Sequence, residues 1–489
     1  MHRRTLFRFL LPFLVTCCSA ALAADSTDAV ISEALKPSPI AENLRQLTDE
    51  IGGRVPGTAA MDKAVEWSLA ALKAAGADSV RGEPFQMPLS WSEGATRMAI
   101  TSPVQFSARV VSLAWSPPFQ VSGARVIDVG KGTPEEFARA GELGGAVLLV
   151  HSDILNSWDD LFQEYLRAPG IIERAQRGKA AAIAFTSTRE HDLLYRHMNS
   201  TGGNLMPIPQ LLVAREEALR MARLIAAGKR LTVDISMPNN VGPAFATANV
   251  VAELRGSELP DEFVILGGHL DSWDLGTGAL DNGCNIALII DTLRAIRASG
   301  IKPRRSIRFI LFSGEEQGMM GSRAYAQGHR AELNKAAAVV IFDEGVGRVI
   351  GFSLGGRKDV VASVEPLIAP LSRWNADKLT VDAFVGTDNF DFLLEGVPTL
   401  VANQEAANYL VNYHASSDTY DKVDIPQLKN HVAIAAHLVT ALANAPARIG
   451  ARQSRSQIEA LMRETRLDEQ MKAFGLWEEW ENATRGRAR

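Results

Sequence analysis

The pattern of apolar and polar residues is most regular from Ala248 onwards, where short apolar runs alternate with segments of helical periodicity. The predicted strands are Asn249–Leu254, Phe263–Leu266, Ser306–Phe312, Ala337–Phe342, Arg348–Ser353 and Thr399–Ala402. The predicted helices are Cys284–Arg297, Ser322–Gly328, Val360–Ser372, Thr387–Glu395 and Pro426–Ala443. This alternation predicts an α/β fold with a mostly parallel mixed central sheet covered by helices on both faces.

The pattern upstream of this region predicts two further parts. Residues 24–94 show helical patterns around a Gly-rich loop, followed by a strand, and we assign them to the N-terminal part of the same domain. Residues 95–238 contain short β-like runs and two short helical patterns, which predict an inserted β-rich domain. The core then spans 239–450, and a charged, helix-prone tail follows at 451–489.

The first 23 residues read as a signal peptide. Three arginines precede an apolar run from Phe9 to Cys18, and Ala21-Leu22-Ala23 is a small-residue cleavage site. We therefore expect export to the periplasm or secretion, with no membrane span in the mature chain. An uncleaved anchor is disfavoured because the run is short for a bilayer. Lipid modification at Cys17 is a minor alternative, since Thr16 fits poorly before such a cysteine.

Composition narrows the class of protein. The 489 residues are 46% hydrophobic and 22% charged, as in soluble globular proteins, and the formal net charge is −5. The absence of a basic surplus argues against nucleic acid as the partner. Of the three cysteines, Cys17 and Cys18 lie in the predicted signal peptide, so only Cys284 remains and an internal disulfide is excluded.

Residues that could bind a metal or take part in catalysis lie directly after several of the predicted strands. In open α/β sheets, ligands bind beyond the carboxyl ends of the strands. The polar side chains at these places are His269, Asp271, Asp281, Glu315, Glu316, Asp343 and Glu344, with His414 and Asp418 further along. Carboxylates that cluster without partners would repel each other and raise their pKa values. The pattern therefore favours bound cations.

Imidazoles mixed with carboxylates suit zinc, with cobalt or manganese as substitutes, whereas magnesium or calcium would favour oxygen alone. The number of candidates exceeds the needs of one tetrahedral zinc and fits two metals that share a bridging carboxylate. In the adjacent pair Glu315 and Glu316, one side chain can bind metal while the other faces the attacking water.

Several motifs occur together with this pattern. They are GHLDSWD at 268–274, GALDNG at 278–283, EEQG at 315–318, FDEG at 342–345, GTD at 386–388, EGVP at 395–398 and HASSDT at 414–419, with GRVPGT upstream at 53–58. Together they resemble the co-catalytic zinc metallopeptidases related to bacterial leucyl aminopeptidases and glutamate carboxypeptidase. The resemblance implies an α/β/α sandwich for the core and a protease-associated-type domain for the insert.

The resemblance also implies a ligand set for two zinc ions: His269, Asp281, Glu316, Asp343 and His414. Asp281 would bridge the two ions. His269 and Asp343 would bind one ion, and Glu316 and His414 the other.

The resemblance also implies roles for residues outside this ligand set. Glu315 would be the general base, and Asp271 would hold His269 in the tautomer that binds metal. Asp388 and Asp418 would support the site. Cys284 departs from the family pattern; it is either a soft competing ligand or, as we favour, a small apolar residue that opens a helix.

The implied activity is that of an exported exopeptidase that hydrolyses dipeptides or short peptides with a water activated by Glu315. Whether it is an aminopeptidase, a carboxypeptidase or a dipeptidase stays open, and relatives suggest a homodimer. Two alternatives use the same fold. One is a non-catalytic receptor, which the intact set of candidate residues disfavours; the other is a single-zinc acyltransferase of the glutaminyl cyclase type.

Overall fold

The computed structural model describes residues 28–199 and 202–488. The predicted signal peptide and Cys17 lie outside the described residues. Among the described helices, none combines the length and the apolar character that crossing a membrane requires.

The strands of the described residues are numbered in chain order. They are β1 Ser79–Met87, β2 Trp91–Ser92, β3 Arg97–Ser102, β4 Phe106–Ala108, β5 Val110–Ser112, β6 Phe119–Asp128, β7 Val147–Val150, β8 Ala182–Thr186, β9 Gln210–Val213, β10 Thr232–Met237, β11 Asn240–Val241, β12 Phe245–Leu254, β13 Leu259–His269, β14 Arg305–Phe312, β15 Ala336–Ile341, β16 Val349–Ser353, β17 Lys378–Thr380 and β18 Thr399–Gln404.

The α-helices are named by their bounds. Residues 28–35 are helical, and the helices that follow are Ile40–Arg45, Ala59–Ala74, Pro134–Ala140, Trp158–Arg177, Arg215–Ala226, Cys284–Ala298, Met320–Gly328, Val361–Ile368, Asn389–Leu394, Tyr409–Asn412, Ile425–Asn444, Arg455–Thr465, Leu467–Ala473 and Trp477–Glu481.

The central sheet has the order β1-β12-β14-β13-β15-β18-β16-β17, and β14, β13, β15 and β18 run parallel to one another. Both faces are buried. Along β13, Val264 and Leu266 pack into one cluster, whereas Phe263 and Ile265 pack into another on the opposite face. This explains why the central strands are continuous apolar runs. The predicted α/β class with a mixed, mostly parallel sheet is confirmed.

Most predicted elements of the core agree with the structure to within a few residues. Strand β13 is longer than the predicted strand Phe263–Leu266. It continues to His269, so the strand itself carries the first candidate ligand. The predicted helix Val360–Ser372 is in fact an α-helix that ends at Ile368, followed by a 3₁₀ turn, Ala369–Trp374. The chain there contains Pro366 and Pro370, which cannot donate backbone hydrogen bonds.

The second sheet, built from residues 97–237, has the order β4-β3-β10-β6-β7-β8-β9-β5. Its centre, β6 to β9, is parallel. The region is thus rich in strands, and helices that the sequence pattern only partly predicted pack on both faces of this sheet. The sequence pattern missed the helix Trp158–Arg177 because Pro169 and Gly170 interrupt it. Assignment of this region to the protease-associated type stays a prediction.

The C-terminal tail is helical, as predicted, and returns to the core through a buried ion pair. Arg485 donates two hydrogen bonds to Asp391, each of 2.8 Å, and both side chains are almost fully buried. The same guanidinium reaches the carbonyl oxygen of Gly318 at 3.3 Å. The end of the tail is therefore fixed close to the segment that follows β14.

We predict that Arg485→Met lowers the free energy of unfolding by about 3–5 kcal/mol, because it leaves the Asp391 carboxylate buried without its partner. Urea denaturation followed by tryptophan fluorescence measures the change. Lys358→Met is the control, since Lys358 pairs with Glu464 between core and tail at an exposed position. It should cost less than about 1 kcal/mol. Equal losses in the two variants would contradict the prediction.

Candidate metal centre

Three neighbouring parallel strands deliver candidate residues to one edge of the central sheet. His269 ends β13, Glu315 and Glu316 follow β14, and Asp343 follows β15. Strand β13 lies between β14 and β15, so these side chains meet above its carboxyl end. Their convergence follows directly from the parallel order of the strands.

The first group of potential ligands is His269, Asp281 and Asp343. Nε2 of His269 lies 3.1 Å from an oxygen of Asp281 and 2.9 Å from an oxygen of Asp343. Ligand atoms about 2.0–2.2 Å from one tetrahedral zinc would be only slightly farther apart than this.

The second group is Asp281, Glu316 and His414. Nε2 of His414 lies 3.3 Å from Oδ2 of Asp281 and 2.9 Å from Oε2 of Glu316. Asp281 belongs to both groups and turns one oxygen towards each histidine. The structure thus brings the five predicted ligands together in the arrangement that the resemblance implies.

Burial and mutual charge shift the pKa values in this cluster. Burial alone would lower the pKa of His414, but Glu316 and Asp281 raise it to about 9. Burial raises the pKa of Glu316 to about 7. For Asp281 burial acts in the same direction, but the two histidines outweigh it and lower the pKa of this carboxyl. When no metal cation is bound, protons and the two imidazole rings therefore balance the negative charge of the buried carboxylates.

The surroundings of two buried carboxylate oxygens indicate whether the site fits a cation. Within the described part of the chain, Oε1 of Glu316 and Oδ2 of Asp281 accept no hydrogen bond of ordinary geometry, although Oδ2 faces Nε2 of His414 at 3.3 Å. A buried acceptor without a partner costs free energy that coordination would recover. With imidazole nitrogens beside these oxygens, the donor set fits zinc.

Glu315 lies beside the two groups and lines the same pocket. Glu315 is half-buried, and the loss of solvent around its carboxyl raises the pKa of this group well above its usual value, with a further contribution from Asp343 and Asp388. The structure therefore places the predicted general base next to the candidate ligands without making it one of them.

Asp271 contacts the site through both its backbone carbonyl group and its side-chain carboxylate. Its backbone carbonyl, not its carboxylate, accepts a hydrogen bond from Nδ1 of His269 at 3.0 Å, which leaves Nε2 free to face the other ligands. The carboxylate accepts from the backbone N–H groups of Glu315 and Glu316 at 3.2 and 3.3 Å. One residue thus orients a candidate ligand and the loop that carries the predicted base.

The Gly-rich loop between His269 and Asp281 is held by Arg54, a residue that sequence reasoning did not single out. This buried guanidinium donates to the carbonyl oxygens of Leu270, Thr277 and Gly278. Burial lowers its pKa to about 10, which still leaves it charged at neutral pH. The only sequence signal for Arg54 was its place in the GRVPGT motif.

Asp418 anchors the backbone of the candidate bridging residue. Its carboxylate accepts from the N–H groups of Ala279, Leu280 and Asp281 at 3.1, 2.7 and 3.1 Å. Gly276 permits the close approach, because a Cβ there would lie 2.6 Å from the carbonyl oxygen of Asp418. This carboxylate supports the loop in a way that the sequence suggested only in general terms.

Cys284, Glu344 and Asp388 stand apart from the two ligand groups. The Cys284 thiol is buried and donates to the carbonyl oxygen of Leu280, four residues earlier, and burial raises its pKa well above the usual range. Its contacts are those of a small apolar residue in the first turn of a helix. Glu344 accepts from the backbone of Gln404 at 2.9 Å. Asp388 is fully buried near Asp343, and burial raises its pKa well above the usual value.

His414 is held in place by the inserted region. Its φ angle is 58°, in the left-handed region that non-glycine residues rarely adopt. Its carbonyl oxygen accepts from the backbone N–H of Arg196 at 3.0 Å, and Tyr195 forms an antiparallel bridge with Ala415. The buried Arg189 side chain donates to the carbonyl oxygen of Tyr413 at 3.1 Å. These contacts fix the backbone on both sides of His414.

A cavity of about 570 Å³ opens onto the candidate ligands. This volume suits a small ligand. Its walls are rich in aromatic side chains that come from the core, the inserted region and the tail: Trp158, Phe162, Tyr165, Phe384, Tyr409, Tyr413 and Phe474. The site therefore combines a buried polar centre with an apolar approach.

Comparison with known proteins agrees with the motifs. Residues 249–439 match the model of peptidase family M28. This match covers β12 to most of the helix Ile425–Asn444 and contains all five candidate ligands. The predicted resemblance to the co-catalytic metallopeptidases is confirmed.

Individual relatives extend the similarity beyond the matched segment. Carboxypeptidase Q of Mus musculus is 27% identical over 401 residues, covering 80% of this chain and 83% of its own. The crystal structure of a peptidase M28 precursor from Shewanella amazonensis superposes with a TM-score of 0.81 at 25% identity, covering 89% of this chain and 99% of that one. These similarities support a metallopeptidase.

A zinc aminopeptidase from Bacillus subtilis shares the fold, with a TM-score of 0.63 at 18% identity. The superposition covers 82% of this chain and 93% of the Bacillus chain. At this level of identity the likeness concerns the fold alone.

We predict that Asp418→Ala weakens the candidate metal centre, because three backbone N–H groups around Asp281 lose their acceptor. Affinity for zinc, measured by competition with a chelating dye, should fall about 10–100-fold. Asp421→Ala is the control, since Asp421 is an exposed acid three positions further on. It should bind zinc as the unmodified protein does. Unchanged affinity in Asp418→Ala would show that the loop needs no such anchor.

Proposed function

We propose that this chain is an exported two-zinc exopeptidase that hydrolyses dipeptides and short peptides with a free amino terminus. The observation that carries the proposal is the pair of three-ligand groups that share Asp281, with Glu315 beside them. The similarity to carboxypeptidase Q supports a peptidase, and the mixed set of imidazole and carboxylate donors supports zinc.

His269 and Asp343 would hold one zinc ion, Glu316 and His414 the other, and Asp281 both. When bound, the two ions would lower the pKa of a water molecule and polarise the peptide carbonyl group. The role of the chain is to hold the ligand atoms in a buried place. Contacts of its backbone or ring fix each ligand residue there.

Glu315 moves the proton. Its carboxylate takes a proton from the attacking water while the water oxygen bonds to the carbonyl carbon. It then delivers this proton to the nitrogen of the leaving amine as the C–N bond breaks. Asp271 keeps Glu315 in position through the backbone N–H of that residue. Water is consumed and one acid and one amine are produced.

The charges around the cavity support recognition of an amine rather than a carboxylate. No lysine or arginine lines the cavity within the described ranges, whereas three acids do so outside the ligand groups and the base: Asp159, Glu344 and Asp382. Burial raises the pKa of Glu344 to about 8, whereas Asp159 and Asp382 are exposed to solvent. A carboxypeptidase would need a cation here to pair with the carboxylate of its substrate.

We predict that Glu315→Gln retains two zinc ions per chain and loses about 10²–10⁴-fold in kcat, because the amide cannot accept the proton. Zinc content by atomic absorption and hydrolysis of a dipeptide measure the two quantities. Glu316→Gln is the comparison and should lose zinc as well as activity. A Glu315→Gln protein with the rate of the parent would overturn the role of Glu315. A parent protein with less than about one zinc per chain and no activity would favour a non-catalytic receptor.

A panel of dipeptides tests which end of the substrate is read. We expect cleavage of unblocked and carboxyl-amidated dipeptides, and a loss of at least about 100-fold in kcat/KM after amino-terminal acetylation, since a charged contact to the amine is removed. Product formation by liquid chromatography measures the rates. The reverse pattern, in which amidation abolishes cleavage and acetylation does not, would identify a carboxypeptidase.

A further inference from the structure

The wall of the cavity is built partly by the C-terminal tail. Phe474 directly follows the helix Leu467–Ala473 and lines the cavity, as does Gln470 within that helix. The match to the peptidase family ends at residue 439, so both residues lie outside it. This part of the wall therefore lies outside the segment that matches the family model.

The ring of Phe474 meets two rings of the inserted region. It lies 5.9 Å from Phe162, with ring planes inclined by 62°, and 6.4 Å from Tyr165, inclined by 52°. Phe162 and Tyr165 are three positions apart on the helix Trp158–Arg177 and so share one face of it. The tail and the inserted region thus contact each other in the cavity wall.

Gln470 fixes a core segment in the same wall. Its side-chain oxygen accepts from the backbone N–H of Val385 at 3.0 Å, and its side-chain nitrogen donates to the carbonyl oxygen of Ala383 at 3.3 Å. This segment leads to Thr387, which lines the same cavity as Asp343. The tail is therefore fastened to a segment of the cavity wall.

The aromatic wall continues to the metal centre on the other side. The hydroxyl groups of Tyr165 and Tyr413 lie 3.0 Å apart, and the Tyr413 ring stacks on the His414 ring with centroids 3.6 Å apart. A continuous line of rings therefore runs from Phe474 through Tyr165 and Tyr413 to His414. A substrate side chain placed along this line would lie next to the reacting bond.

These rings could simply join tail and insert, but their exposure argues for a further role. Phe162, Tyr165 and Phe474 are only half-buried and line the open cavity, although Phe474 also packs against the apolar cluster that contains Ala383 and Met471. Apolar surface that stays open beside a polar centre is typical of a binding pocket. Its removal from water by a ligand would be favourable in proportion to the area covered.

We infer that Phe474 and Phe162 form a subsite for a bulky apolar side chain of the substrate, so that the C-terminal tail and the insert together determine specificity. The inference rests on the proposed function and narrows its substrates to short peptides with residues such as leucine or phenylalanine next to the cleaved bond. Both residues are specificity determinants, and neither holds metal nor moves a proton.

The experiment compares the full-length protein with its Phe474→Ala, Phe162→Ala and Phe474→Leu variants on leucyl-alanine and glycyl-alanine. The parent should prefer the leucyl substrate. In the two alanine variants the ratio of kcat/KM values should fall about tenfold, mainly through KM, because the side chain loses one wall of its pocket. Phe474→Leu, which restores an apolar wall, should recover most of the ratio. Zinc content should not change in any variant.

Trp477→Ala is the matched control, because Trp477 is a half-buried aromatic residue of the same tail that does not line the cavity. It should keep the ratio of the parent. An equal fall in Trp477→Ala would overturn the inference, since docking of the tail would then be the cause. An unchanged ratio in Phe162→Ala and in a folded Phe474→Ala would overturn it too. If Phe474→Ala does not fold, the ratio in Phe162→Ala decides.

A parent that prefers glycyl-alanine would refute the subsite while leaving the proposed function intact. A parent that binds no zinc and cleaves neither peptide would refute the proposed function, and the inference with it. Zinc content and substrate ratio are measured on the same samples, so these two failures can be told apart.

Discussion

Negative charge concentrated at the carboxyl ends of three parallel strands is the constraint on which this structure depends. Asp281, Glu316 and Asp343 are brought together with two histidines in a buried place, where water cannot screen them. Carboxylates this close repel each other unless protons or cations compensate them. The surrounding chain must therefore hold these groups against their own repulsion, and much of the polar architecture is explained by this need.

Backbone groups supply most of the restraint. Arg54 donates to carbonyl oxygens of the loop before Asp281, and Asp418 accepts from the N–H groups at its end. Asp271 uses its carbonyl for His269 and its carboxylate for the segment after β14. These polar side chains thus form hydrogen bonds with backbone groups that a tight, irregular loop would otherwise leave unpaired. Because these hydrogen bonds are buried, they keep the loop rigid.

The parts outside the shared core complete the site. The inserted region holds the backbone on both sides of His414, and the tail reaches the same cavity through Phe474. Both are anchored by buried charges on backbone or carboxylate partners, as Arg189 and Arg485 illustrate. Segments outside the matched part of the chain therefore line the same cavity as the candidate ligands.

The sequence by itself determined the α/β class and the sites of most core elements, and its resemblance to a known family implied the candidate ligands. Buried parallel strands require apolar runs, and the polar residues just beyond them, such as His269 and Asp343, are visible in one dimension. The tertiary structure alone decided which groups meet. Arg54, Asp418 and Phe474 act on partners over a hundred residues away or on backbone atoms. No periodicity or spacing encodes such contacts, because they arise only when the folded layers bring distant segments together.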